Sequence, residues 1–339
     1  MAIAVCFNRH AVLDNMDWSP FNRRFMNAKS DHGESQVVVE PMTVHIGAEI
    51  RGVDLTQPLN PAEVTAIREA LLRWKVVFFR DQFIDHVQHI DFARNFGDLT
   101  PAHVVFGSDP DYPEIYPVLK NRTAFAARPA AQRAWTDWHT DVTAAINPPS
   151  ASILRGVVVP PYGGDTHFAS MSAAFQALSP TMREFVSGLR AIHRFKTASG
   201  DDQADDYNRM VEKNLLMAEH PLVTVHPETG EQSLYTSQEF TQEIVGLEPQ
   251  ESKALLEFLW EHCIRAEFCV RFNWKPGSIA FWDNRATQHQ AIRDVYATDF
   301  DREFYRVTLN GQIPVGVDGR PSTHLSGDPI TPIQSAKAS

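Results

Sequence analysis

The 339-residue chain carries only three cysteines, Cys6, Cys263 and Cys269, an odd number with no CxxC spacing. That argues against a disulfide scaffold and a thiolate zinc cluster, and it points to reduced thiols in a cytoplasmic protein. Long hydrophobic runs are lacking too. Stretches such as 157–161 fall far short of the ~20 apolar residues that cross a bilayer. The apolar start reaches Asn8-Arg9-His10 too early for a secretory leader, so no membrane association is expected. Positive charge is scarce: 31 Lys and Arg stand against 42 Asp and Glu, a formal net charge of -11. Binding to phosphate backbones needs clustered cations, so no nucleic-acid partner is expected either. Repeats and low-complexity tracts are absent. With 43% hydrophobic and 22% charged residues, the composition is that of a globular protein with a sizeable core. What the chain does hold in number is histidine, fourteen in all.

Residues 1–36 show no sustained period and read as a tail or arm, 37–325 as the folded domain, and 326–339 as a C-terminal tail. Short strands are expected at 37–39 and 44–46. Asn60-Pro61 opens a helix carrying Val64, Ile67, Leu71 and Trp74. Residues 75–80 (KVVFFR) read as a buried strand. Val87, Ile90, Ala93 and Phe96 mark a second helix, closed by Gly97. Residues 100–135 have little period and read as long loops of the kind that cover sites. A strand at 150–159 and a turn at 160–165 follow, then helical signals over 172–189, with Met182, Phe185 and Leu189 on one face. The acidic run 201–206 reads as a solvated loop. A helix at 248–263 and strands at 268–274, 278–282 and 305–311 complete the pattern. Strands carry the middle and end, so the fold class is mainly β with helices, a sandwich or jelly roll supported on one face.

Trp138-His139-Thr140-Asp141 is the first chemical signal. In a strand or extended turn, positions two apart share a side, so an imidazole and a carboxylate can reach one metal ion. The chain holds a second His-x-Asp, His89-Ile90-Asp91, inside the helix of Val87 and Ile90. There positions two apart diverge by about 200°, and His89 and Asp91 read as a solvated helix face. His289, just past the 278–282 strand, supplies a third ligand. Two histidines and a carboxylate form a facial set suited to Fe(II), with positions open for a chelating cosubstrate and O2. Arg302 and Arg306, four apart near a strand, point the same way. They read either as two cations in an anion-binding cavity or as surface arginines paired with Asp299, Asp301 or Glu303.

Five blocks then carry a resemblance: 47–55 (GAEIRGVDL), 138–143 (WHTDVT), 163–166 (GGDT), 282–289 (WDNRATQH), and Arg302-x-x-x-Arg306 followed by Val307-Thr308-Leu309. In this order the chain resembles the taurine dioxygenase/TfdA family of Fe(II)- and 2-oxoglutarate-dependent dioxygenases, over about residues 40–325. The resemblance implies a double-stranded β-helix (jelly roll) with supporting helices, and a homo-oligomer. It implies His139, Asp141 and His289 as iron ligands, with O2 and 2-oxoglutarate as cosubstrates. Thr166 and Arg302 match the residues that hold the distal carboxylate of 2-oxoglutarate. Arg306 and His103 match positions that bind the substrate's anionic group in sulfonate- and sulfate-oxidising members. An intact Asp141 implies hydroxylation and not halogenation.

The chain departs from the taurine enzymes where they grip the amine: Trp135 stands in place of Asn, and Phe106 in place of Tyr. Aromatic walls imply an apolar substrate body. The run 306–327, with Ile313-Pro314-Val315 and Ser326-Gly327, is similar to the bacterial alkylsulfatase branch. The expectation is hydroxylation of a small anionic molecule, an alkyl sulfate or sulfonate cleaved to aldehyde and sulfate or sulfite. The alternatives are an aryloxyalkanoate dioxygenase, a biosynthetic hydroxylase of a carboxylate, and, remotely, a non-catalytic jelly-roll protein that binds a small acid.

Overall fold

The KVVFFR stretch forms the strand Val76–Phe79, whose four side chains are all buried. A strand alternates its side chains between two faces, so an unbroken apolar run means that both faces are covered. In the computed structural model, which describes residues 37–103, 108, 111–120, 137–196 and 202–333, that is what surrounds it. Val77 and Phe79 face one core with Ile153, Ile279 and Phe281. Val76 and Phe78 face another with Leu154, Ala280 and Trp282.

Val76–Phe79 belongs to a seven-stranded sheet that runs, edge to edge, Val38–Pro41, Ala48–Arg51, Val76–Phe79, Ile279–Asp283, Ala151–Val158, Arg302–Leu309 and Tyr116–Lys120. Every pairing in it is antiparallel except that of Ala48–Arg51 with Val76–Phe79. One face is covered by the helices Pro61–Trp74 and His86–Arg94. Against the other lies a three-stranded sheet of Cys269–Phe272, Thr166–Ser170 and Thr287–Ala291. Phe78 stacks on Phe272 across the interface, ring centroids 4.0 Å apart, and meets Phe168 edge-on at 5.6 Å. Each such fully buried Phe contributes roughly 1.5–3 kcal/mol. A four-stranded sheet (Thr241–Ile244, Arg190–Arg194, Met217–Pro221, Thr323–Ser326) completes the framework. The helices Met171–Ala177, Pro180–Ser187 and Pro249–Cys263 contribute to a third core with residues of that sheet. The fold is the jelly roll with supporting helices that the sequence implies.

Several elements depart from the sequence reading. Residues 44–46 are not a strand but part of the turn between the first two strands, closed by Met42 N–H to the Gly47 carbonyl at 2.9 Å, with Val44 76% exposed at its tip. The long-loop stretch contains the strand Tyr116–Lys120. Positions 202–206 of the acidic run lie in the helix Asp202–Lys213 and not in a loop. Phe185 is exposed, and its neighbour Val186 takes the core position. Packing also continues past 325: Ile330 is buried and Ile333 N–H donates to the Leu99 carbonyl at 2.8 Å.

The largest correction concerns His89. The buried residues of His86–Arg94 are 89, 90, 92 and 93, so Val87 faces solvent and His89 is fully buried, while Asp91 stays exposed. Neither His89 ring nitrogen has a partner at full hydrogen-bond geometry. Burial, reinforced by the Arg155 charge and opposed by the Ile153 backbone, pushes the imidazole down to about 3 from its ordinary 6.5. The unfolded chain therefore takes up a proton near pH 6.5 that the folded chain refuses until about pH 3, and stability falls as pH drops through that window. His89→Leu, which removes the titrating group at similar volume, is expected to recover roughly 2 kcal/mol of the stability lost between pH 7 and pH 5. Urea denaturation at the two pH values reads it directly; an unchanged acid slope would clear His89 of any part in it.

Candidate active site

His139 and His289 are joined through their backbones. His139 N–H donates to the His289 carbonyl at 3.0 Å and His289 N–H to that of His139 at 2.8 Å, which fastens the WHTD segment to the strand Thr287–Ala291. The imidazole centroids stand 4.2 Å apart. Asp141 follows in a turn, where Val142 adopts φ +49°. A β-branched residue in that left-handed region carries strain of roughly 1–3 kcal/mol. Ligand atoms of His139, Asp141 and His289 lie within 4.8 Å of one another.

The donor set fits a divalent metal. Nδ1 of His139 lies 2.8 Å from the Asp137 carbonyl, which can only accept, so Nδ1 carries the proton and Nε2 keeps its lone pair. Nδ1 of His289 is buried with no hydrogen-bond partner. Burial lowers both imidazoles, keeping them neutral as ligands must be. Burial alone would raise the Asp141 carboxyl, but Arg306, His289, His139 and the Ser152 hydroxyl hold it well below its usual range. Two imidazoles and one carboxylate without a thiolate suit ferrous iron with open positions.

Both carboxylate oxygens of Asp141 are held. Arg306 Nη1 donates to Oδ1 at 2.5 Å and Ser152 Oγ to Oδ2 at 2.6 Å. Ser152 in turn accepts from Asn284 Nδ2 at 2.9 Å, and Asn284 Oδ1 from Trp282 Nε1 at 2.9 Å. Sequence reasoning missed Ser152 and Asn284. The only signal was a lone hydroxyl within the apolar start of Ala151–Val158, a buried polar group that must find a partner. Ser152→Ala strips a donor from Asp141 and is expected to weaken Fe(II) binding roughly 10- to 100-fold, as loss of outer partners does. Titrating Fe(II) against the visible charge-transfer band of the 2-oxoglutarate complex measures it; wild-type affinity would make Ser152 a bystander.

A cavity of about 200 Å³ opens beside this cluster, and Thr166, Arg302, Arg306 and His103 all line it. The two arginines are therefore not surface cations. Arg302 is 8% exposed, lies 3.8 Å over the Phe304 ring, and has no carboxylate partner among the described residues. Burial lowers its guanidinium to about 10, with Tyr296 opposing. The GGDT turn packs beside it: Gly164 adopts φ +70°, a left-handed conformation that favours glycine. Thr166 Oγ1 accepts from Trp274 Nε1 at 2.9 Å, which leaves its own O–H available to donate. Arg306 keeps a buried Nε without a hydrogen-bond partner. His103 is held neutral, pushed down to about 3 by burial and then by Arg306, while Asp141 opposes. Phe195, Phe240 and Tyr116 add aromatic wall. Trp135 and Phe106 lie outside the described residues. Trp282 packs under the metal cluster, its ring centroid 4.8 Å from that of His289.

The comparisons with known proteins agree with this chemistry. An alpha-ketoglutarate-dependent sulfate ester dioxygenase of Pseudomonas putida is 40% identical over 290 residues, 83% of this chain and 92% of that protein. An alkylsulfatase of Acinetobacter baylyi is 34% identical, covering 84% of this chain and 88% of its own. The crystal structure of a taurine dioxygenase from Burkholderia xenovorans superposes with a TM-score of 0.75 at 52% identity, over 86% of this chain and 96% of that one. Residues 39–308 match the family model described as taurine catabolism dioxygenase TauD, TfdA family. The chain belongs to that family, and it is an Fe(II)- and 2-oxoglutarate-dependent dioxygenase.

Proposed function

We propose that the protein hydroxylates a small organic sulfate or sulfonate at the carbon bearing the anionic group, so that the product collapses to an aldehyde and sulfate or sulfite. In this reading His139, Asp141 and His289 hold the iron. Thr166 and Arg302 clasp the distal carboxylate of 2-oxoglutarate, and Arg306 with neutral His103 receives the substrate anion. Bound ferrous iron with 2-oxoglutarate supplies the oxidation, one atom of O2 entering the substrate C–H bond and the other leaving in succinate with CO2. The chain's own contribution is placement: Arg306 ties the anion to the same Asp141 that orients the metal, so the adjacent C–H bond is the one presented. The aromatic wall of Phe195 and Phe240 excludes water around an apolar body. The observation that carries the reading is Arg306, a largely covered cation paired with Asp141 whose buried Nε–H still lacks an acceptor. The names of the Pseudomonas and Acinetobacter relatives support a sulfate ester as that anion. Cytoplasmic location is part of the same proposal, supported by the buried free thiol of Cys263; among the described residues no helix is long and apolar enough to cross a membrane.

The test is a headgroup panel. Alkyl sulfates, alkyl sulfonates and phenoxyacetates are supplied with Fe(II), 2-oxoglutarate and O2, and sulfate, sulfite and phenol release are measured. Sulfate or sulfite release well above phenol release is expected; phenol release alone would overturn the proposal.

A further inference from the structure

The segment that carries Asp141 is gripped again just beyond the ligand, by side chains that do not line the cavity. After Asp141 the chain passes through Val142, whose left-handed φ of +49° a β-branched residue keeps only where its surroundings over-determine it. The grip falls on the next residue, Thr143, and comes from the paired strands Arg190–Arg194 and Met217–Pro221. His220 Nε2 lies 2.8 Å from the Thr143 carbonyl. A carbonyl can only accept, so Nε2 carries the proton, and Nδ1 faces the Ser322 hydroxyl at 2.7 Å. His193 meets the Thr143 hydroxyl through Nδ1 at 3.0 Å and the Thr241 hydroxyl through Nε2 at 3.2 Å. His193 is 1% exposed and His220 0%, and their rings stand edge to face with centroids 4.9 Å apart. Burial keeps both neutral: it lowers His220 to about 4, opposed by the backbones of Thr143 and Ala145, and takes His193 well below its ordinary 6.5.

We propose that His220 and His193 are positioning residues of the iron site: together they pin Thr143 and so hold the strained Val142 turn that presents the Asp141 carboxylate to the metal. The proposal rests on the reading of Asp141 as an iron ligand. Upstream, the same segment is fixed by the paired backbones of His139 and His289, and by the Thr140 hydroxyl donating to the Thr287 carbonyl at 2.7 Å. With both ends held, the left-handed step between them cannot relax to negative φ, and Asp141 stays in register with Ser152 and Arg306. Once Thr143 is released the turn can unwind, and the carboxylate is free to leave its place among the three metal donors. A neutral imidazole suits the task, because a cation this near the site would repel the metal.

Anaerobic Fe(II) titrations of the full-length protein, read on the charge-transfer band formed with 2-oxoglutarate, test it. His220→Leu removes the donor to the Thr143 carbonyl, and Thr143→Val removes only the hydroxyl that His193 meets. Both are expected to weaken Fe(II) binding, roughly 10- to 100-fold for the first and at least roughly threefold for the second. His220→Gln, whose amide N–H can reach the same carbonyl, should return affinity to within about threefold of wild type. KM for 2-oxoglutarate at saturating Fe(II) should stay within about twofold, because Thr166 and Arg302 are not on this turn. His262→Leu is the control for a purely structural loss: it removes a buried bond to the Ala174 carbonyl, and should lower thermal stability while leaving Fe(II) affinity unchanged. Wild-type Fe(II) affinity in a folded Thr143→Val or in a destabilised His220→Leu overturns the proposal, as does an equal loss of affinity in His262→Leu. Should His220→Leu fail to fold, Thr143→Val decides alone. Asp141→Ala keeps this failure apart from that of the iron assignment, since full Fe(II) affinity there removes Asp141 from the site whatever the histidines do.

Discussion

His139→Ala is expected to lower substrate-dependent succinate formation by more than roughly 100-fold, the upper end of what loss of a mere outer partner costs a metal site. The substitution removes one of three protein donors that converge within 4.8 Å. It leaves the scaffold in place, because His139 is tied to His289 through two backbone hydrogen bonds that alanine makes equally well. Loss of activity should therefore come with a native near-ultraviolet spectrum and thermal midpoint, and with loss of the charge-transfer band that Fe(II) and 2-oxoglutarate give together. His89→Leu is the matched control. It removes a histidine from the other His-x-Asp pair, on the far side of the large sheet, where it packs among helices. That variant should keep its charge-transfer band. Full succinate formation by His139→Ala would take His139 out of the iron site and with it the whole functional reading.

The contrast between the two His-x-Asp pairs shows how much the sequence makes legible. The strand or extended-turn reading puts 139 and 141 on one side, and their ligand atoms do converge, with Asp141 in a turn; helix period tells that 89 and 91 diverge, and one is buried while the other is exposed. Period does not tell which way a helix face turns: a stripe drawn through Val87 puts His89 in solvent, and the sheet puts it in the core. The five family blocks locate Thr166, Arg302 and Arg306, all of which line one cavity. Residues that serve through a partner are harder to see. Ser152 matters because its strand pairs with Ile279–Asp283, which carries Trp282, and because Asn284 follows directly after it; nothing local in either stretch records that meeting. The strands Thr166–Ser170 and Arg190–Arg194 escaped notice because, with five residues each and polar side chains among them, they lack a clean alternation.

Arg302→Met is expected to do two things that rarely go together: raise KM for 2-oxoglutarate roughly 100-fold and make the ligand-free protein more stable. Taking a guanidinium out of water costs several kcal/mol, and no described carboxylate offsets it. The contact with the Phe304 ring, at 3.8 Å, returns at most about 2 kcal/mol. Desolvation wins, so an apolar side chain of similar reach in that place should raise the denaturation midpoint by at least about 1 kcal/mol in free energy. The same imbalance is what makes the residue a good host for a carboxylate. The cation is already dehydrated and fixed, and Thr166 on the same wall holds an O–H available to donate. A charge-assisted, two-pronged contact of this kind contributes a few kcal/mol, which converts to about two decades of affinity. Because the distal carboxylate lies away from the reacting atoms, kcat at saturating 2-oxoglutarate should fall far less than kcat/KM. Urea denaturation of the metal-free protein and a 2-oxoglutarate titration at fixed Fe(II) separate the two effects. A stabilised variant with an unchanged KM would mean that the cosubstrate carboxylate is held elsewhere; a destabilised one would mean that Arg302 is paired by a group of the chain itself.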